Sequence, residues 1–214
     1  MKIRKELIIS FLLTIVTVVY TIMVKTVDVA AIGPSGSSVG FSKMNDSFKK
    51  VIGSNMTIYK ISEILGLCVL LIVGIYGIIG LIQLIKRKSL FKVDRDLLVL
   101  GIFYVIVGIV YVVFDKIAIN YRPIIIDGEL EASFPSSHTM LSLCVCISSL
   151  MISKRYVDKN FITITNFITV LLMIGVLFGR MVSGVHWISD IIGGVLFSFT
   201  LLSYFYTMLV WKKK

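Results

Sequence analysis

Six stretches of the chain are apolar almost without interruption, and that pattern leaves little choice of fold. They run at about 7–24, 62–85, 97–114, 139–153, 161–178 and 189–210. A helix needs about 20 mostly apolar residues to cross a hydrocarbon core of about 30 Å. The fourth stretch is short, but the polar residues ahead of it can extend it as a helix. Only helices and closed barrels satisfy their backbone groups in lipid. Barrel strands alternate apolar and polar residues over segments of about 10 residues, whereas these runs are continuously apolar. The reading is an all-α integral membrane protein: a six-transmembrane-helix bundle in a single membrane-embedded domain, residues 1–214. Composition agrees, since 57% of residues are hydrophobic and only 16% charged. A soluble domain carries about 25% charged residues. The apolar segments also use up most of the chain and leave no room for a large soluble catalytic domain. Cys68, Cys144 and Cys146 all lie inside apolar runs. Their odd number and the lack of CxxC or Cys/His spacing argue against a disulfide framework or a structural metal.

The first stretch has two readings. Basic residues precede it, as in a secretory signal peptide, and Ala30-Ala31 offers a small-residue pair for cleavage. A signal h-region spans about 7–15 residues, and Leu7–Val24 is longer. It is read here as a retained helix.

Charge sets the orientation. Of the 22 basic residues, 14 fall on the side that holds the N-terminus. They are Lys2, Arg4 and Lys5, then Lys86, Arg87, Lys88, Lys92 and Arg95, then Lys154, Arg155 and Lys159, and finally Lys212, Lys213 and Lys214. Positive charge collects in short cytoplasmic loops, so both termini are expected in the cytoplasm. The net charge of +10 is then explained by these loops and anionic lipid, with no call for nucleic acid. Three segments face outward, at about 25–61, 115–138 and 179–190. The first contains the turn-rich Gly33-Pro34-Ser35-Gly36-Ser37-Ser38. It continues with Phe41, Met44, Phe48, Val51 and Ile52 on one helical face. This pattern fits a helix lying in the membrane interface or one packed on the bundle.

Unusual polar residues gather in the last two outer segments. Both histidines of the chain, His138 and His186, lie there. Two helices and an inner turn separate them, so His138 and the Arg180–Asp190 stretch return to the same face. Lys116, Arg122 and Arg180 supply cations, and arginine forks match phosphate oxygens. Ser136 and Ser137 carry hydroxyls, and their backbone N–H groups precede the fourth span, a position that favours anions. His186 and Asp190 are four apart and share a helix face. The carboxylate can keep one imidazole nitrogen protonated and leave the other as nucleophile. His138 is then free as general acid. Together these residues describe phosphoryl transfer through a phosphohistidine. Two-metal chemistry needs several carboxylates on one face, and Asp190 stands nearly alone. Glu63, near the outer end of the second span, reads as an interfacial residue. Trp187 and Trp211 suit an aromatic belt, and Trp187 could also line an entrance.

These residues resemble the type 2 phosphatidic acid phosphatase family. Its pattern is Lys, six residues, Arg-Pro; then Pro-Ser-Gly-His; then Ser-Arg, five residues, His, three residues, Asp. Here stand Arg122-Pro123, Pro135-Ser136-Ser137-His138, and Arg180 followed by His186 and Asp190 at the family spacing. Three positions depart. Five residues instead of six separate Lys116 from Arg122, Ser137 stands for Gly, and Gly179 stands for Ser. The resemblance implies that His186 attacks phosphorus, Asp190 orients it and His138 protonates the leaving oxygen. Lys116, Arg122, Arg180 and the backbone of Ser136 and Ser137 would hold the phosphate oxygens. No metal or cofactor is implied.

An outer site reached from lipid suits a substrate with its tail in the bilayer. Hydrolysis of undecaprenyl pyrophosphate to undecaprenyl phosphate, in a bacterial cell membrane, is the first expectation. A phosphatidic acid or phosphatidylglycerophosphate phosphatase is the second. A phosphotransferase, or a non-hydrolytic lipid-phosphate binding protein or transporter, is the alternative of another class.

Overall fold

The computed structural model describes residues 2–211 and is entirely helical in its regular structure, with seven α-helices among those residues. These are α1 (Lys2–Thr26), α2 (Ser42–Ile52), α3 (Met56–Arg87), α4 (Arg95–Lys116), α5 (Ser137–Ile152), α6 (Ile162–Val182) and α7 (Ile188–Val210). All but α2 are long and apolar enough to cross a membrane. Each expected span is found, lengthened by a few residues at most of its ends because flanking polar residues continue the helix. Lys212, Lys213 and Lys214, counted in the cytoplasmic charge, lie outside the described residues.

Helices in lipid gain little from burying apolar surface against each other, so close packing and polar contacts must join them. The central helix, α5, is built for this. Its buried face is rich in small residues, with Thr139, Ser142, Cys144, Cys146, Ser148 and Ser149. It packs against α3, α4, α6 and α7. A layer of larger side chains fills the space between α4 and α7, with the Phe103 and Phe205 rings 4.7 Å apart. The first helix joins α7 through hydroxyls. Thr17 and Thr200 lie 2.8 Å apart, Thr14 and Tyr204 3.1 Å, and the Tyr20 hydroxyl donates to the Ser189 carbonyl at 3.0 Å. Such bonds average about 0.6 kcal/mol each in membrane bundles. The first span is thus an integral layer of the fold.

At one end of the bundle, basic side chains tie loops to helix ends. Arg95 donates to the carbonyls of Met208 and Leu209 and so caps α7. Arg87 pairs with Asp94 at 2.7 Å, and Arg155 pairs with Asp96. The chemistry-bearing residues gather at the opposite end. Two small hairpins and α2 cover that end. One hairpin pairs Ala30 with Val39, and the other pairs Tyr121 with Ala132 and Ile126 with Glu129. Asp127 and Gly128, at its tip, both have positive φ (50° and 82°), as a two-residue hairpin turn demands.

The face that α2 turns to the bundle is polar. Ser42 and Asn45 are buried, whereas Met44 and Val51 are 41% and 83% exposed. Asn45 decides this orientation. Its amide donates to the Gly40 carbonyl at 2.7 Å and to the Ser189 hydroxyl at 2.9 Å, and it accepts from the Ser189 N–H at 3.1 Å.

Candidate active site

His186 stands in the short link between α6 and α7. That link is fastened from outside by the segment between the first two spans. Lys49 of α2 donates to the Gly184 carbonyl at 2.6 Å, and the Asn55 N–H donates to the Ser183 carbonyl at 2.9 Å. Gly184 has φ +66°, and a Cβ there would lie 1.9 Å from the Gly53 carbonyl oxygen. Only glycine lets the two strands of chain approach so closely. The outer segment therefore positions the link that carries the histidine.

Asp190 lies in the first turn of α7, fully buried. Its Oδ2 accepts from the Trp187 N–H at 3.0 Å, and its Oδ1 accepts from the Asn120 amide at 3.2 Å. Oδ2 stands 3.8 Å from His186 Nδ1, longer than a hydrogen bond; because His186 precedes α7, the two do not share a helix face as the spacing suggested but meet across the turn that opens the helix. His186 is itself buried, and both ring nitrogens lack a hydrogen-bond partner. Burial, reinforced by the positive charges of Arg122 and Arg180, pushes its imidazole well below the ordinary 6.5. The neutral form of the imidazole is the favoured one.

Two arginines stand around the histidine, each held by a carboxylate along part of its fork. Arg122 is 8% exposed, and its Nε lies 2.8 Å from Glu131 across the hairpin. Arg180 is fully buried. Its Nη2 pairs with Glu63, and its guanidinium carbon lies 4.9 Å from the centre of the Tyr59 ring. Both keep further N–H groups unpartnered: Nη1 of Arg122, and Nε and Nη1 of Arg180. A buried polar group without a partner costs about 1–3 kcal/mol. A cluster of such groups around one histidine is the mark of a site built for an anion.

His138 is in the first turn of α5, with Nε2 3.3 Å from Glu63 and Nδ1 buried and unpartnered. Gly66 of α3 makes room for it, since a Cβ at position 66 would lie 2.8 Å from His138 Cδ2. Gly66→Ala is accordingly expected to displace the imidazole and lower turnover by about 10²-fold. The protein should remain folded, as size-exclusion chromatography in detergent would check. A cavity of about 470 Å³ connects Arg122, Ser137, His138 and His186 at this end of the bundle.

The sequence-derived set is thus brought together only in part. His186, Asp190, His138, Arg122 and Arg180 converge, and Ser137 lines the cavity. Ser136 does not reach it. Its N–H donates to the Asp190 carbonyl at 2.9 Å and its hydroxyl lies 3.0 Å from that of Thr139. Ser136 therefore joins α5 to α7 and has no free backbone donor for phosphate. Lys116 lies at the end of α4 with its side chain 77% exposed, 3.2 Å from Asp115, and it does not line the cavity. Trp187 is buried, and its indole N–H donates to the Tyr121 carbonyl at 2.7 Å. It braces the hairpin against the His186 link and is no belt residue. Gly179 has a steric reason, because a Cβ there would meet the Ser62 Cβ at 2.7 Å. Three contributors escaped the sequence reading: Glu63, Glu131 and Asn120. Glu63 is no bystander at the interface, since it joins Arg180 and His138.

A family model described as the PAP2 superfamily matches residues 96–214. Among solved structures, the chain is similar to the first transmembrane PAP2 type phosphatidylglycerolphosphate phosphatase from Bacillus subtilis. The two share 19% identity over 96% of this chain and 97% of that one, with a TM-score of 0.56. That likeness is one of fold. No curated protein matches the chain. The family model takes in more than half of the sequence, from the start of α4 through the His186–Asp190 pair. The chain therefore belongs to the PAP2 superfamily, and by class it is a membrane phosphatase, a phosphoric ester hydrolase.

Proposed function

We propose that the protein is a metal-independent lipid phosphatase that works through a phosphohistidine on His186. The observation that carries this reading is the group of buried, unpartnered nitrogens of His186, His138, Arg122 and Arg180 at one end of the bundle. In the first half-reaction His186 Nε2 attacks phosphorus. The bond to the leaving oxygen breaks with its electron pair, and His138 gives that oxygen a proton. Asp190 stabilises the positive charge that develops on the His186 ring. The free edges of Arg122 and Arg180 take the equatorial oxygens, and preorganised charge of this kind commonly supplies the largest part of the acceleration. In the second half-reaction water, deprotonated by His138, attacks phosphorus and frees His186.

The basic residues at the opposite end of the bundle support a reading in which that end is cytoplasmic. The active site then faces outward across a bacterial cell membrane, where a lipid keeps its tail in the bilayer and offers its phosphate at the surface. Undecaprenyl pyrophosphate, hydrolysed to undecaprenyl phosphate, is the first substrate reading. Its leaving group is a lipid phosphate, which departs with little help from an acid. The second reading is phosphatidylglycerophosphate or phosphatidic acid. Two observations favour it: the solved relative's own substrate, and the carboxylate of Glu129 along the cavity, which repels a second phosphate.

The test is phosphate release by the purified protein in detergent from undecaprenyl pyrophosphate, phosphatidylglycerophosphate and phosphatidic acid, with and without EDTA. EDTA-resistant release is expected, and the preferred lipid names the substrate. Release that EDTA abolishes and added metal restores contradicts metal independence. No release from any lipid by folded protein contradicts the hydrolase reading and favours transfer or binding.

A further inference from the structure

Glu63 lies on α3, outside the stretch 96–214 that carries the family likeness. Its Oε1 pairs with Arg180 Nη2 and lies 3.3 Å from His138 Nε2. One carboxylate oxygen thus joins the end of α6 to the start of α5. A carboxylate at a membrane surface is best left in water unless it has partners. Here its side chain is only 41% exposed. It borders a small cavity of about 140 Å³ between α3 and α5, with His138 and Gly66 in the same wall.

The contacts divide each partner in two. Arg180 spends one edge of its fork on Glu63 and keeps Nε and Nη1 buried and free. His138 turns its Nε2 edge toward α3, where Gly66 admits it, and keeps Nδ1 buried and free. A carboxylate that faces one imidazole nitrogen at this distance favours the proton on that nitrogen and so selects the tautomer.

We propose that Glu63 is a positioning residue of the reaction: it fixes Nδ1 as the working atom of His138 and holds Arg180 with its free edge toward the phosphate. The proposal rests on the lipid phosphatase reading above. As the phosphorus–oxygen bond breaks, its electron pair stays on the leaving oxygen, which takes the Nδ1 proton. His138 becomes neutral, with its Nε2–H still on Glu63. When water attacks, its proton passes to Nδ1 and its oxygen bonds phosphorus. The phosphorus–nitrogen bond breaks with its pair returning to His186 Nε2. The carboxylate stays ionised throughout and opposes the charge of the imidazolium in both halves.

Glu63→Gln keeps the size of the side chain and removes its charge. The test compares two lipids with the same tail and different leaving groups. Phosphatidic acid loses an alkoxide, and diacylglycerol pyrophosphate loses a phosphate that needs little protonation. General acid catalysis is worth about 10²–10⁴-fold. E63Q is therefore expected to lower the ratio of turnover on phosphatidic acid to that on diacylglycerol pyrophosphate by about tenfold or more. The same change made in His138→Ala should leave that variant's ratio where it is. An unchanged ratio, whether both rates fall equally or neither falls, overturns the proposal. The chain has two histidines, so His186→Ala protein labelled with ¹⁵N-histidine reports on His138 alone. Protonated Nε2 with a lone pair on Nδ1 is expected in its neutral form, and the opposite tautomer overturns the assignment without reference to turnover. Absence of release by the wild-type protein from either lipid counts against the phosphatase reading, whereas the tautomer tests the Glu63 pair separately.

Discussion

His186→Ala is expected to abolish phosphate release, with kcat falling by about 10⁴-fold or more, as losses of a covalent nucleophile do. The residue is buried in a short link held by Lys49 and Asn55 rather than by its own ring. The substitution should therefore leave the fold standing, and the melting temperature in detergent should change little. A buried neutral imidazole also predicts a pH dependence. Protonation removes the nucleophile, so activity falls as pH drops through the histidine's own titration. Burial and the two arginines hold that titration well below 6.5. The acid limb of kcat/KM that belongs to His186 should thus lie well below pH 6.5. An acid limb at the ordinary histidine value would contradict the buried geometry.

Arg180→Ala should cost less activity than the first variant but, unlike it, should also weaken the protein. Arg180 is fully buried and is Glu63's close cationic partner. Its removal leaves a half-buried carboxylate uncompensated and strips the proposed site of a buried positive charge. Loss of one preorganised charge at a reacting centre is worth about 10²–10³-fold in kcat. Breaking a buried ion pair by removing one partner costs about 3–5 kcal/mol, reduced here because Glu63 is partly in reach of solvent. Arg180→Lys separates the two effects. Lysine keeps the charge near Glu63 but has no planar fork to serve carboxylate and phosphate at once. It should restore most of the thermal stability and little of the turnover. A lysine variant with nearly full activity would show that the fork geometry is unimportant.

The sequence made the membrane spans legible because lipid imposes length and apolarity on every crossing helix, and few other structures satisfy those demands. It made His186 and Asp190 legible as a pair because they lie four apart, although His186 stands before α7 and the two meet across its opening turn rather than on one helix face. What it hid depends on contacts between distant segments. Glu63 is 75 positions before His138 and 117 before Arg180, and on its own it is one acid at the end of an apolar run. Only the packing of α3 against α5 and α6 gives it a role. Ser136 sits inside the family's pattern, yet its N–H goes to the Asp190 carbonyl, because the start of α5 must be joined to α7 to bring His138 near His186. The Lys116 side chain follows the end of α4 outward, a direction that spacing in the sequence does not fix. Gly179 departs from the family's serine, and the reason lies across a helix interface in Ser62. The apolar face of α2 was visible, but Asn45, one buried amide with three hydrogen bonds, decides which way that helix turns.

The central claim is a covalent bond between phosphorus and His186. It is tested most directly by mixing the protein with a lipid substrate labelled with ³²P in the transferred phosphoryl group. The reaction is quenched in alkali within milliseconds, and the labelled peptide is mapped. The account predicts a base-stable, acid-labile phosphoryl group on His186, absent from His186→Ala and lost at the rate of turnover. Label on a different side chain, or hydrolysis with inversion of configuration at phosphorus by direct attack of water, would contradict it.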